Sequence, residues 1–262
     1  MASHAPDTGA RILSLLLAVL GQAEDSTAIK YLLSFLQEHR QGEFRITRKV
    51  YPDITYLNVH ALGISFQLEP SASTTKEAER IVTAIDIYNH APEAFETGAE
   101  IASKQQKKSD YGPFPTYPVP LATFRPSATS TPSSAPSPSG TLGIDPSTSG
   151  TDLVRALGEP SRKGGGEGPI GRGPAAWMEW TGVLQIQPST ASSSPTDAVP
   201  SSQLQSHIEH PGESGRATLD VPIQIMVELG GPGSRGPRRW EADSAGQSVW
   251  KVLTLSTPAS SE

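Results

Sequence analysis

The chain has 262 residues, 35% hydrophobic and 18% charged, with a net charge of −6 and no cysteine. The negative charge argues against non-specific nucleic-acid binding, which needs a large positive field, and without cysteine there is no disulfide, thiolate nucleophile or Cys-based zinc site. No stretch reaches the ~20 apolar residues of a membrane-spanning helix, and the 24 Gly and 24 Pro gather in segments that mark loops inside a globular chain.

Residues 9–20 predict a short apolar helix stopped by Gly21. Its run Ile12–Leu20 also has the length of a signal-peptide core, with Gly21-Gln22-Ala23 offering small residues for cleavage. Asp7 beside Arg11 leaves the leading segment weakly charged, and a second amphipathic stretch follows at once. A core helix in a cytoplasmic protein is therefore preferred over a secreted one. The second helix opens at Asp25 or Ser26, whose side-chain oxygens can cap free N–H groups, and carries Ile29, Leu32, Leu33 and Leu36 at helical spacing.

A first strand is expected over Tyr51–His60, rich in β-branched and aromatic residues, with Ala61-Leu62-Gly63 as a tight connection. Ile64, Phe66 and Leu68 then alternate with Ser65, Gln67 and Glu69, as in a half-buried strand. Ile81–Asn89 gives a third strand, with Ile81, Thr83, Ile85 and Ile87 expected on one side.

The order of helix and three strands then recurs. Ser149-Gly-Thr-Asp152 has capping-box spacing before Leu153, Val154 and Leu157, and Gly158 with Pro160 ends that helix. Ala176–Trp180 and Val183–Gln187 read as two strands broken at Thr181-Gly182. Val221 to Leu229 alternates cleanly, and Val249–Leu255 supplies a last strand. The fold class is thus α+β: antiparallel sheet with helices on one face, in a possible tandem αβββ repeat. The units span residues 1–125 and 141–262. Residues 126–140 (PSATSTPSSAPSPSG) form a linker and 188–217 an insertion, both too poor in apolar groups to offset ordering and so expected to be disordered. The rows Ser65/Gln67/Glu69 and Gln224/Glu228 are expected to face water or a partner.

Among candidate sites, Gly166–Gly171 matches a GxGxxG string, but a helix precedes it, a strand follows and Pro169 interrupts, the reverse of a dinucleotide site. His207 and His210 have the spacing of a metal pair but lie in a low-complexity loop with no evident third ligand. No cofactor or metal is expected. Asp53, Asp86, His60 and Glu179 could supply an acid/base pair only if the fold assembled one. Arg162 and Lys163 beside Gly164–Gly166, and Arg235, Arg238 and Arg239 in a second Gly-flanked loop, could hold an anion if they met. Trp177, Trp180 and Trp240 are candidate contacts for a protein partner, the alternative being core packing.

Several blocks, Leu62-Gly-Ile-Ser-Phe66, Leu157-Gly-Glu-Pro-x-Arg-Lys-Gly-Gly-Gly166 and Arg235-Gly-Pro-x-x-Trp-Glu241 among them, resemble a fungal family of uncharacterised proteins. That resemblance implies a shared fold and brings no function. The strand pair around Tyr56-x-Asn58 and Leu62-Gly-Ile64, with the later Leu-Gly-x-Pro turn, more distantly resembles the phagosome assembly factor family, which implies a link with autophagy and phosphoinositide-rich membranes. The sequence thus reads as a non-catalytic protein-interaction module, with anion or phosphoinositide recognition and a small-molecule enzyme as alternatives. Counting strands from residue 176 in up-down order places the two basic loops at opposite ends of the sheet.

Overall fold

The computed structural model describes residues 5–40, 42–71, 79–90, 110–121, 124–127, 143–165, 175–186, 219–235, 239–241 and 245–258. The elements are α1 (Ala5–Val19), α2 (Thr27–Glu38), β1 (Thr47–Val50), β2 (Thr55–Val59), β3 (Ile64–Pro70) and β4 (Arg80–Tyr88). They continue with β5 (Val119–Pro120), β6 (Phe124–Pro126), β7 (Gly143–Ile144), α3 (Gly150–Leu157), β8 (Arg162–Gly164), β9 (Trp177–Ile186), β10 (Leu219–Leu229) and β11 (Trp250–Ser256). The architecture is α+β, as expected. No helix among the described residues is long and apolar enough to cross a membrane. The linker from residue 128 onward, the insertion, the Gly166–Gly171 string and the histidines at 207 and 210 lie outside the described residues.

One antiparallel sheet runs in the order β1-β2-β3-β4-β11-β10-β9-β6, with β8 also paired to β9. It crosses the boundary expected between residues 125 and 141, because β4 hydrogen-bonds to β11. The strand order β2-β3-β4 is thus met by β11-β10-β9. Ile64, Phe66, Ile85, Ile87, Leu253, Leu255, Ile225 and Val227 line one face and belong to the same buried cluster as Ile12 and Leu16 of α1, Leu32 and Leu36 of α2 and Leu153 and Leu157 of α3. Local signals set the helix starts. Ser26 accepts from Ile29 N, and Ser149 and Asp152 exchange both bonds of a capping box.

Four expectations change. The strand after α2 starts later, because Tyr51 N bonds Ile54 O and closes a turn between β1 and β2, so Thr47–Val50 becomes an additional edge strand. On β4, Gln67 pairs with Ala84 and Leu68 with Val82, leaving Thr83 as a bulge residue. The bulge resets the alternation, so Val82 joins Ile85 and Ile87 on the core side in place of Thr83. Ser65 does not face water: it is fully buried and donates to Asn58 Oδ1 at 2.9 Å, while Tyr111 OH donates to the same oxygen at 2.6 Å.

The fourth change concerns Thr181-Gly182, which is no break. β9 runs unbroken through it, pairing Gly182 with Ile223 on one side and Pro126 on the other. Gly182 is required by close approach, since a Cβ there would stand 2.2 Å from the Arg125 carbonyl oxygen and 2.6 Å from the Phe124 ring.

Candidate functional site

After α3, Gly158 and Pro160 turn the chain into β8, whose Arg162, Lys163 and Gly164 pair with Glu179, Met178 and Trp177 at the start of β9. Gly164 is needed there because a Cβ would meet the Trp177 indole at 2.4 Å; the ring lies over a bare backbone. β10 ends beside the start of β9. The turn that leaves it is fastened by Ala176 N donating to Ser234 O at 2.7 Å and Leu229 N donating to Ala176 O at 2.8 Å. The segment after that turn brings Trp240 against β8. Lys163 Nζ lies 5.8 Å from the Trp240 ring centroid, and the Arg162 guanidinium carbon 5.8 Å from that of Trp177.

β8 and Trp240 therefore lie at the same end of the sheet, against the expectation of opposite ends for the two basic loops. The reason is parity. With residues 177–186 forming one strand rather than two, β10 is the second strand of the count, and its exit returns to the end where β9 began.

The cations of this corner are already engaged. Arg162 pairs with Glu179 at 3.4 Å; the carboxylate side chain is 8% exposed and its cation 69%. Lys163 pairs with Glu159 at 3.3 Å, both side chains exposed. Arg235 is exposed and Arg239 buried, while Arg238 lies outside the described residues. The tryptophans divide by face. Trp177 is half-buried and Trp240 37% exposed, whereas Trp180 is completely buried and donates its indole N–H to Gly158 O at 2.9 Å. Trp180 serves the core and cannot be a surface contact. Trp177 and Trp180 are three positions apart on one strand and so point to opposite faces.

The acid/base candidates do not gather. Asp53 is exposed in the β1–β2 turn. Asp86 and Glu179 share the face away from the helices, but β11 and β10 separate them, about 14 Å at the usual strand spacing. Asp86 is held by Gln67 Nε2 at 2.8 Å and Thr254 Oγ1 at 2.7 Å. Burial pushes its carboxyl above the ordinary range, and those two hydrogen bonds oppose the shift. It joins β3, β4 and β11. His60 packs its ring against Tyr111 at 4.5 Å, and Tyr111 in turn stacks on Tyr88 at 3.6 Å. Tyr111 escaped sequence reading because it sits between the polar run Lys104–Asp110 and a proline-rich stretch, with no periodic neighbours. Among the described residues no group of three His, Asp or Glu side chains could hold a metal ion.

Comparison of the chain with protein-family models, curated proteins and solved structures gave no match.

Proposed function

We propose that this protein is a non-catalytic interaction module that takes an acidic segment of another protein at the corner built by β8, the start of β9 and Trp240. One observation carries the reading: two distant stretches of chain converge so that Arg162 and Lys163 each lie over a tryptophan ring, with Trp240 exposed. Tryptophan and arginine dominate the few contacts that carry most binding energy at protein interfaces. The pairing of cation and ring holds both groups in place before a partner arrives, which lowers the ordering cost of binding.

The charge pattern favours exchange. The exposed Lys163–Glu159 pair is of a kind worth at most about 1 kcal/mol, so a partner carboxylate can replace Glu159. Arg162 stays committed to the buried Glu179 and anchors the strand. The test is a quantitative pull-down with the full chain, comparing wild type with Trp240→Ala and Lys163→Glu after thermal melting shows both variants folded. Loss of the same protein from both supports the reading, and retention of every captured protein by both variants overturns it. A parallel flotation with phosphoinositide-containing vesicles separates the lipid alternative. Salt-sensitive vesicle binding lost in both variants, with protein capture unchanged, would replace this reading with that one.

A further inference from the structure

We propose that the outer edge of β1, at the far side of the sheet from the tryptophan corner, accepts an extended acidic segment of a partner protein as an added strand. β1 ends the sheet, and among the described residues no strand pairs with its outer side. The bond from Tyr51 N to Ile54 O, together with the register Lys49↔Tyr56 and Thr47↔Asn58, identifies those as the hydrogen-bonded pairs, since bonded and non-bonded pairs alternate. The N–H and C=O groups of Arg48 and Val50 therefore point outward, away from β2. They form a short template for a further strand.

The side chains around that template are not those of a merely solvated boundary. Ile46, Val50 and Tyr51 are 44%, 57% and 52% exposed, half of the large hydrophobic side chains left exposed in the described residues. Arg48 and Val50 point to the helix side of the sheet, opposite Leu57 and Thr55, while Thr47 and Lys49 take the other side, and Arg45 and Ile46 lead into the strand. An edge kept free of partners carries charge with little apolar surface; this edge offers both, in register.

The cations select the occupant. Arg48 pairs with Glu24 at 3.1 Å across two half-exposed side chains, and Arg45 and Lys49 are exposed. A second copy of the chain pairing antiparallel through β1 would set these cations against their own counterparts, and like charges directly opposed destabilise a strand pair. An acidic strand reverses that sign. It would place a carboxylate opposite Lys49 on one face and an apolar residue beside Val50 on the other, with Arg45 and Ile46 at the entry to the strand. Strand addition of this kind takes its affinity from main-chain bonds and its specificity from alternate side chains.

The experiment uses the full chain and a fluorescein-labelled, end-blocked peptide alternating glutamate and valine, followed by fluorescence polarisation at low salt and by amide hydrogen exchange. The peptide should bind and slow exchange at the Arg48 and Val50 amides. Arg45→Glu combined with Lys49→Glu should weaken binding about tenfold or more. Val50→Pro removes one outward donor while sparing the bonds to β2, and should abolish binding in a chain that still melts cooperatively. A peptide methylated on alternate backbone nitrogens should fail to bind. The proposal is overturned by any of four results: no binding by the glutamate peptide, equal binding by a lysine-for-glutamate or N-methylated peptide, protection of Arg48 and Val50 in the peptide-free chain, or a dimer in sedimentation that Val50→Pro dissociates.

Discussion

Gly182→Ala gives opposite signs for two readings of the same residue. In an open strand a glycine weakens the element, and alanine should restore roughly 0.5–1 kcal/mol. Here the new methyl carbon would fall 2.2 Å from the Arg125 carbonyl oxygen and 2.6 and 2.7 Å from the Phe124 ring, while ordinary contact begins at 3.4 Å. The nearest atom is backbone, so a side-chain rotation cannot relieve the clash. Overpacking of this kind costs about 1–3 kcal/mol. The escape route, lifting β6 off β9, would expose Phe124, which is now buried, and forfeit about 1.5–3 kcal/mol. The two routes bracket an expected loss of about 2 kcal/mol, read as a lower urea midpoint at unchanged slope. In a Phe124→Ala background two of the three short contacts vanish, and the penalty for Gly182→Ala should shrink. A neutral or stabilising Gly182→Ala would refute the close approach, and equal penalties in both backgrounds would show that the Phe124 ring has no part in the clash, leaving it all on the Arg125 carbonyl.

Asp86→Asn tests the buried carboxyl. Because burial raises its folded pKa above the ordinary 3.8, the native state keeps a proton that the unfolded chain has lost, so stability falls as pH rises from 3.8 through the folded value. The asparagine variant should flatten that part of the urea-stability profile, and an unaltered slope would show that Asp86 does not cause it. Ser149→Ala removes the acceptor for Asp152 N and should cost about 1 kcal/mol by thermal melting; no loss would mean the capping box is idle. In return Ser149 donates its hydroxyl and its backbone N–H to Asp152 Oδ2, which lowers the Asp152 carboxyl, so its contribution is complete above the ordinary carboxyl value and disappears as pH falls through the lowered one. Trp180→Phe leaves Gly158 O without its indole donor and should cost about 1–3 kcal/mol, whereas Trp240→Ala should stay within about 0.5 kcal/mol. The reverse order of those two costs would undo the division of the tryptophans into core and surface.

What the sequence made legible was local chemistry. Ser26, the Ser149–Asp152 pair and the alternation of Ile64 to Leu68 and Val221 to Leu229 act within a few residues, so their signals survive without the fold. The failures needed distant atoms. Nothing near Gly182 marks it as a packing residue, because the atoms it must avoid belong to Phe124 and Arg125. Thr83 looks like any strand residue until its partners on β3 are known, and Thr47–Val50 is too short and too charged to announce a strand. The error at Gly182 then spread. One strand too many reversed the end at which β10 exits, which separated Lys163 from Trp240. The burial of Trp180 was within reach, since three positions along a strand change face.

β11 sits between β4 and β10, and its Thr254 reaches Asp86 across 168 positions of chain. Contacts so remote are late events in folding, because a long loop must close before they give any return. Until residues 250–256 slot in, β4 and β10 each keep a flank of unsatisfied backbone groups beside exposed isoleucine and valine. Such flanks invite pairing with the wrong chain. Seating β11 is thus the step that closes both flanks at once, because the one strand satisfies β4 on one side and β10 on the other.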